Sequence, residues 1–95
     1  MKVFKPSDTI HALYIVSRSI PETATLVLYN ELRSIETLIP IECANVGGYL
    51  QANFEHEFKE GQSYELLVID SENKTLYRGK AYATNQEDLQ NYKLN

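Results

Sequence analysis

Cys43 is the only thiol in the chain, and His11 and His56 are the only imidazoles that could activate it. A thiol attacks as its thiolate and needs a base within hydrogen-bond reach. No motif brings either histidine to Cys43. His56 falls on the apolar side of its strand, where a hydrogen-bonded core histidine is the simpler role, so no catalytic residue is assigned. Glu55 and Glu57 share a strand face with Glu60 close behind, and hard cations bind oxygen clusters. The fixed offsets and glycine of a calcium loop are missing, however, so a solvated acidic face is expected and no metal. Asp70, Glu72 and Asn73 read as the turn chemistry of a hairpin tip. Gly47-Gly48 joins two apparent strands instead of opening a helix, so it forms no phosphate cradle and no cofactor is expected.

Binding residues give more to work with. Tyr49, Tyr77 and Tyr82 would form an aromatic platform for a carbohydrate if they reached the surface together, although packing between strands is the commoner use of such rings. Arg78 and Lys80 lie two apart on the last strand, on a face shared with Leu76 and Tyr82. In a chain of net charge −4 they are a local basic exception suited to protein docking. Their alternative role is to cover apolar surface with their stems. The remaining lysines and arginines are scattered, which argues against a nucleic-acid backbone as partner. Ser7, Asp8 and Thr9 interrupt the start before any signal-peptide core forms, and no apolar run reaches membrane-spanning length. Without a secretion signal, the glycosylation sequon at Asn73-Lys74-Thr75 is expected to stay unused.

These residues must be held by one small domain, since 95 residues suffice for a single core. A lone cysteine leaves no internal disulfide, so packing has to hold the fold, as suits a reducing compartment. Residues 2–5 form a possible first edge strand. Residues 11–18 and 23–30 are rich in β-branched and aromatic types, and Pro21 breaks the chain between them. Leu32, Ile35, Leu38 and Ile39 would share a helix face, whereas Ile35, Thr37, Ile39, Ile41 and Cys43 would share a strand face. Pro40 excludes a long helix. A turn at 32–34 and an edge strand over 36–45 follow, with Gly47-Gly48 as the next hairpin. Residues 49–58 alternate cleanly between Leu50, Ala52, Phe54, His56, Phe58 and a polar face. Strands at 63–70 and 75–84 complete about seven at sandwich spacing. The expected fold is an all-β, antiparallel sandwich over residues 1–85. A polar tail follows at 86–95, either frayed or pairing with a neighbouring chain through Tyr92 and Leu94.

A local pattern points to the kind of sandwich. Phe58 is followed three residues on by Gly61 and three further by Tyr64, which opens an alternating strand. This resembles the tyrosine corner of immunoglobulin-like and fibronectin type III domains, where the tyrosine hydroxyl bonds backbone a few residues upstream. The plainer alternative is a strand aromatic beside a glycine turn.

Longer stretches carry a second resemblance. The opening Met1-Lys2-Val3-Phe4-Lys5-Pro6-Ser7, then Leu13-Tyr14 and Leu26-Val27-Leu28-Tyr29-Asn30-Glu31, is similar to short structural proteins of tailed bacteriophages. The close, Leu76-Tyr77-Arg78-Gly79-Lys80-Ala81, Ala83-Thr84-Asn85-Gln86 and Gln90-Asn91-Tyr92-Lys93-Leu94, resembles phages of Bacteroidetes hosts, including crAss-like ones. The resemblance implies a non-enzymatic virion component made in the host cytoplasm. It would be present in many copies and docked to capsid, collar or tail proteins, with no nucleic-acid or membrane partner. Carbohydrate binding at the host surface is the alternative function.

Overall fold

The computed structural model describes residues 2–85, and within them every regular element is a strand: β1 (Lys2–Phe4), β2 (Ile10–Ile15), β3 (Thr23–Asn30), β4 (Ile35–Glu42), β5 (Ala44–Val46), β6 (Tyr49–Glu55), β7 (Ser63–Ile69) and β8 (Thr75–Ala83). They form a five-stranded sheet in the order β1-β8-β7-β3-β4 and a three-stranded sheet in the order β2-β6-β5. The two sheets enclose one core, which makes the fold the all-β, sandwich-like arrangement that the alternation predicts. The tail at 86–95, with Tyr92 and Leu94, lies outside the described residues.

Four expectations need correction. β1 runs parallel to β8, with Lys2 beside Ala81 and Phe4 beside Ala83, so the sandwich is not wholly antiparallel. Segments far apart in the chain need no tight turn between them, so nothing forces them to oppose each other. The strand expected over 36–45 is two strands in different sheets. The Cys43 backbone N–H donates to the Glu22 carbonyl, one register step beyond the Thr23–Glu42 pair, and the chain then crosses from β4 to β5. β2 stops at Ile15, well before Arg18, and β6 stops at Glu55 while Phe58 remains buried beyond its end.

The turns obey their local chemistry. Gly47 and Gly48 have φ of 61° and 87°, the two left-handed positions that a tight hairpin between β5 and β6 requires. Asp70 Oδ1 accepts hydrogen bonds from the backbone of Glu72 at 2.9 Å and Lys74 at 2.8 Å, closing the β7–β8 turn. Asp70 is thus occupied by its own loop, as turn residues of this type usually are.

Alternate residues of β2, β3, β6 and β7 point between the sheets. Leu13, Leu26, Leu28, Leu50, Leu66 and Val68 meet there with 0–1% of their surface exposed. Burying each such side chain contributes about 1.5–3 kcal/mol, so this aliphatic layer is the main stabilising term. One end of the layer is closed by rings: Phe58 stacks on Phe4 with centroids 4.9 Å apart and meets Tyr64 edge-on at 5.1 Å. Leu66→Ala is expected to cost about 2–5 kcal/mol in urea unfolding, against less than about 0.5 kcal/mol for Leu38→Ala on the outer face of dilute protein. Similar losses for the two would show that the layer is misassigned.

Candidate docking surface

The outer face of the five-stranded sheet is assembled from residues that alternate with the core. On β3 and β7 the inward set is Leu26, Leu28, Leu66 and Val68, which turns Val27, Tyr29, Glu65 and Leu67 outward, with Val27 still buried by its neighbours and the other three at least partly exposed. Their cross-strand partners are fixed by register. Lys80, Glu65, Tyr29 and Glu36 form one row across β8, β7, β3 and β4, and Arg78, Leu67, Val27 and Leu38 form the next. Leu38 is 60% exposed and Tyr29 36%. Val27, Tyr29 and Leu67 line a shallow depression of about 270 Å³ that is rimmed by Glu36 and Glu65. An exposed leucine alone is ordinary, but apolar residues laid beside one another across strands between charged borders make this face the candidate for contact.

A bulge decides which residues of β8 join this face. Val68 pairs with Tyr77 and Ile69 with Thr75, so Leu76 is an extra residue on β8. Such an insertion reverses the alternation on one side of it. Leu76 is therefore buried while Arg78 and Lys80 are exposed, and the expected sharing of a face with Leu76 does not hold. Lys80 is also not an isolated cation. Its Nζ donates to Glu31 Oε2 at 2.9 Å, and this bond, reinforced by Glu65, holds its pKa above the ordinary lysine value.

The three tyrosines considered for a carbohydrate platform are not brought together. Tyr82 is on the outer face of β8, Tyr77 packs against the core across side-chain-free Gly79, and Tyr49 is on the other sheet. Tyr49 instead meets Tyr14, with ring centroids 4.8 Å apart and planes 46° apart. The sequence reading missed Tyr14, along with Tyr29, Glu36, Leu38 and Leu67. The signal for Leu38 was present, since β4 carries apolar residues at both parities although an edge strand has only one face to bury.

Tyr64 is buried as a tyrosine corner requires, and Gly61 has φ of 80° with its N–H donating to the Ala83 carbonyl at 2.7 Å. The hydroxyl of Tyr64, however, meets Gln62 Oε1 at 3.5 Å, a side chain where the corner would supply backbone. Gln62 Oε1 also accepts from Asn30 Nδ2 at 2.6 Å, and Asn30 Oδ1 caps the backbone of Leu32 and Arg33 at 3.1 Å each. Each strong acceptor in this half-buried node is thereby matched to a donor.

The remaining titratable candidates have structural roles. Cys43 lies beside Glu42 and Thr23 at one end of β3. His56 lines a crevice with Asn30 and Tyr64 at the other end, which puts roughly 20 Å of strand between thiol and imidazole. Partial burial pushes the Cys43 thiol up, further from a reactive thiolate. His11 is buried among Phe4, Phe54 and Phe58, with its Nε2 3.1 Å from the His56 carbonyl oxygen. Glu55 and Glu57 are exposed, and among the described residues no group of three or more His, Cys, Asp or Glu is placed to hold a metal. Glu60 acts as a clip: hydrogen bonds from the Thr84 side chain and the Asn85 backbone hold its carboxyl below the usual range and tie the β6–β7 turn to the end of β8.

Comparison with known protein families, with curated proteins and with solved structures finds no match to this chain.

His56 makes stability depend on pH. Burial holds its pKa below the ordinary 6.5, with His11 adding to the effect and Glu57 opposing it. The unfolded chain then binds more protons in acid, so the contribution is complete above about 6.5 and is lost as pH falls towards the lower folded value. Urea midpoints should drop between pH 7 and 5.5, and His56→Gln should flatten that slope. An unchanged slope in the variant would assign it elsewhere.

Proposed function

We propose that this chain is a non-enzymatic structural module of a phage virion, which docks to other virion proteins through the outer face of its five-stranded sheet. The observation that carries the reading is the side-by-side exposure of Tyr29 and Leu38 next to half-buried Leu67, bordered by Glu36, Glu65, Arg78 and Lys80. Apolar centre and charged border are the anatomy of a protein contact, in which the centre supplies binding energy and the border sets orientation. The resemblance of the opening and closing segments to tailed-phage structural proteins supplies the virion context. Assembly in the host cytoplasm and incorporation in many copies follow from it. The tail at 86–95, with Tyr92 and Leu94, is the second proposed contact, adding a strand to a neighbour.

An immunoglobulin-like topology is part of this reading. Such sandwiches put strands B, E and D on one sheet and C, F and G on the other. Taking β2, β6 and β5 as the former and β3, β7 and β8 as the latter matches the strand orders, with β4 as an added strand beside C. The Phe58–Gly61–Tyr64 spacing supports the same reading.

Carbohydrate binding is the second reading, favoured by the exposed Tyr14–Tyr49 pair on the smaller sheet. Their 46° tilt gives a sugar one ring face at a time, which is why docking is preferred.

Mass spectrometry of purified particles is expected to find the wild-type protein. Leu38→Glu and a chain ending at residue 85 should both be lost from particles while retaining a native circular dichroism spectrum. Normal incorporation of both would overturn docking by this face and tail. Glycan-array binding abolished by Tyr14→Ala or Tyr49→Ala, with Leu38→Glu neutral, would favour the second reading.

A further inference from the structure

Resting on the docking reading above, we propose that the outer face of the five-stranded sheet has a specific partner, the same face of a second copy of this chain, paired about a two-fold axis that runs along the strands between β7 and β3. The face is divided by charge. Arg78 and Lys80, the latter already bonded to Glu31, stand on β8, Glu36 and Glu42 stand on β4, and half-buried Leu67 lies between them beside Val27, which its neighbours leave only 7% exposed. A two-fold axis along the strands reverses left and right while preserving height. It therefore sets β8 of one copy over β4 of the other, and β7 over β3.

The register then decides which residues meet. In one row Lys80 faces the second copy's Glu36, and Glu65 faces the hydroxyl-bearing Tyr29. In the next, Leu67 faces Val27, and the stem of Arg78 covers the exposed Leu38. Each contact occurs twice, and within these two rows Lys80, already held by its own Glu31, gains Glu36 as a further partner, Glu65 meets a hydroxyl, and Arg78 lays its stem on apolar surface. An axis lying across the strands would put β8 over β8 and β4 over β4. Arg78 and Lys80 would then meet their own copies, as would the glutamates of β4. Like-charge juxtaposition of that kind is destabilising, so the charge pattern selects the axis along the strands.

Facing sheets cross at about 30° because each is twisted, which keeps the central rows in contact and splays the corners. Four strands at about 4.8 Å spacing present a narrow face, at the low end of what specific interfaces bury. The self-association is accordingly weak and dependent on concentration, and the high local concentration on an assembling particle would favour it.

Sedimentation velocity on the full chain tests this, over concentrations from roughly 1 to 500 μM, the range in which a weak dimer forms and dissociates. The wild type should shift from the 10.9 kDa monomer to a species of twice that mass. Lys80→Glu and Glu36→Lys should each weaken association about tenfold or more, and the double variant should recover most of it because Glu then faces Lys again. Leu38→Glu should abolish it, with thermal unfolding confirming that each variant is folded. A wild type that stays monomeric throughout overturns the proposal. So does a dimer indifferent to Lys80, Glu36 and Leu38, or a double variant as weak as the single ones. If the wild type is monomeric and Leu38→Glu is still lost from particles, the docking face stands and its partner is a different protein.

Discussion

The leucine layer between the two sheets is the constraint on which everything else depends. Each strand has two faces, and a domain of this size can hold only one core. Leu13, Leu26, Leu28, Leu50, Leu66 and Val68 therefore claim one face of β2, β3, β6 and β7 and commit the opposite face to the outside. Once Leu26 and Leu28 are inside, Val27 and Tyr29 must be outside, however apolar they are. The outer face proposed for docking is thus a consequence of core packing, with Tyr29 left 36% exposed while Val27 is covered by its neighbours.

Two irregularities adapt that regular plan. The extra residue Leu76 in β8 lets an apolar side chain enter the core at one end of the strand while Arg78 and Lys80 face out further along. Without the bulge, the inward parity of Leu76 would carry both cations into the core, where unpaired charge is costly. The crossover at Cys43 moves the chain from the edge of one sheet to the edge of the other, and the partly buried cysteine packs against the core there. Neither device involves chemistry. Both decide which side chains are available for contact.

At the aromatic end the spacing is that of a tyrosine corner while the bond of the hydroxyl is different. Phe58, Gly61 and Tyr64 are where the spacing places them, with the ring buried and the glycine in a left-handed conformation. The hydroxyl is met by Gln62, which Asn30 on the neighbouring strand also holds. Asn30 in turn organises the β3–β4 turn through Leu32 and Arg33. One half-buried polar node therefore links two turns through residues 32 apart in sequence, a coupling that the local pattern around Tyr64 does not contain.

Strand identity was legible in the amino-acid sequence alone for β3, β6 and β7, and inward parity for β6, because alternation, β-branching and the punctuation at Pro21, Gly47-Gly48 and Gly61 are local properties of the chain. The hairpin glycines and the Asp70 turn were legible for the same reason. The parallel pairing of β1 with β8, the division of residues 36–45 between two sheets and the separation of Tyr49, Tyr77 and Tyr82 depend on which strands become neighbours, and no local property encodes that. The outward face shows both sides. For Tyr29 and Leu38, alternation set them opposite Leu28 and Ile39 and left open which parity meets the core. Only the tertiary structure decided that they stand in rows with Arg78, Lys80, Glu36 and Glu65, since a row is made by hydrogen-bond register between strands brought together from distant parts of the chain.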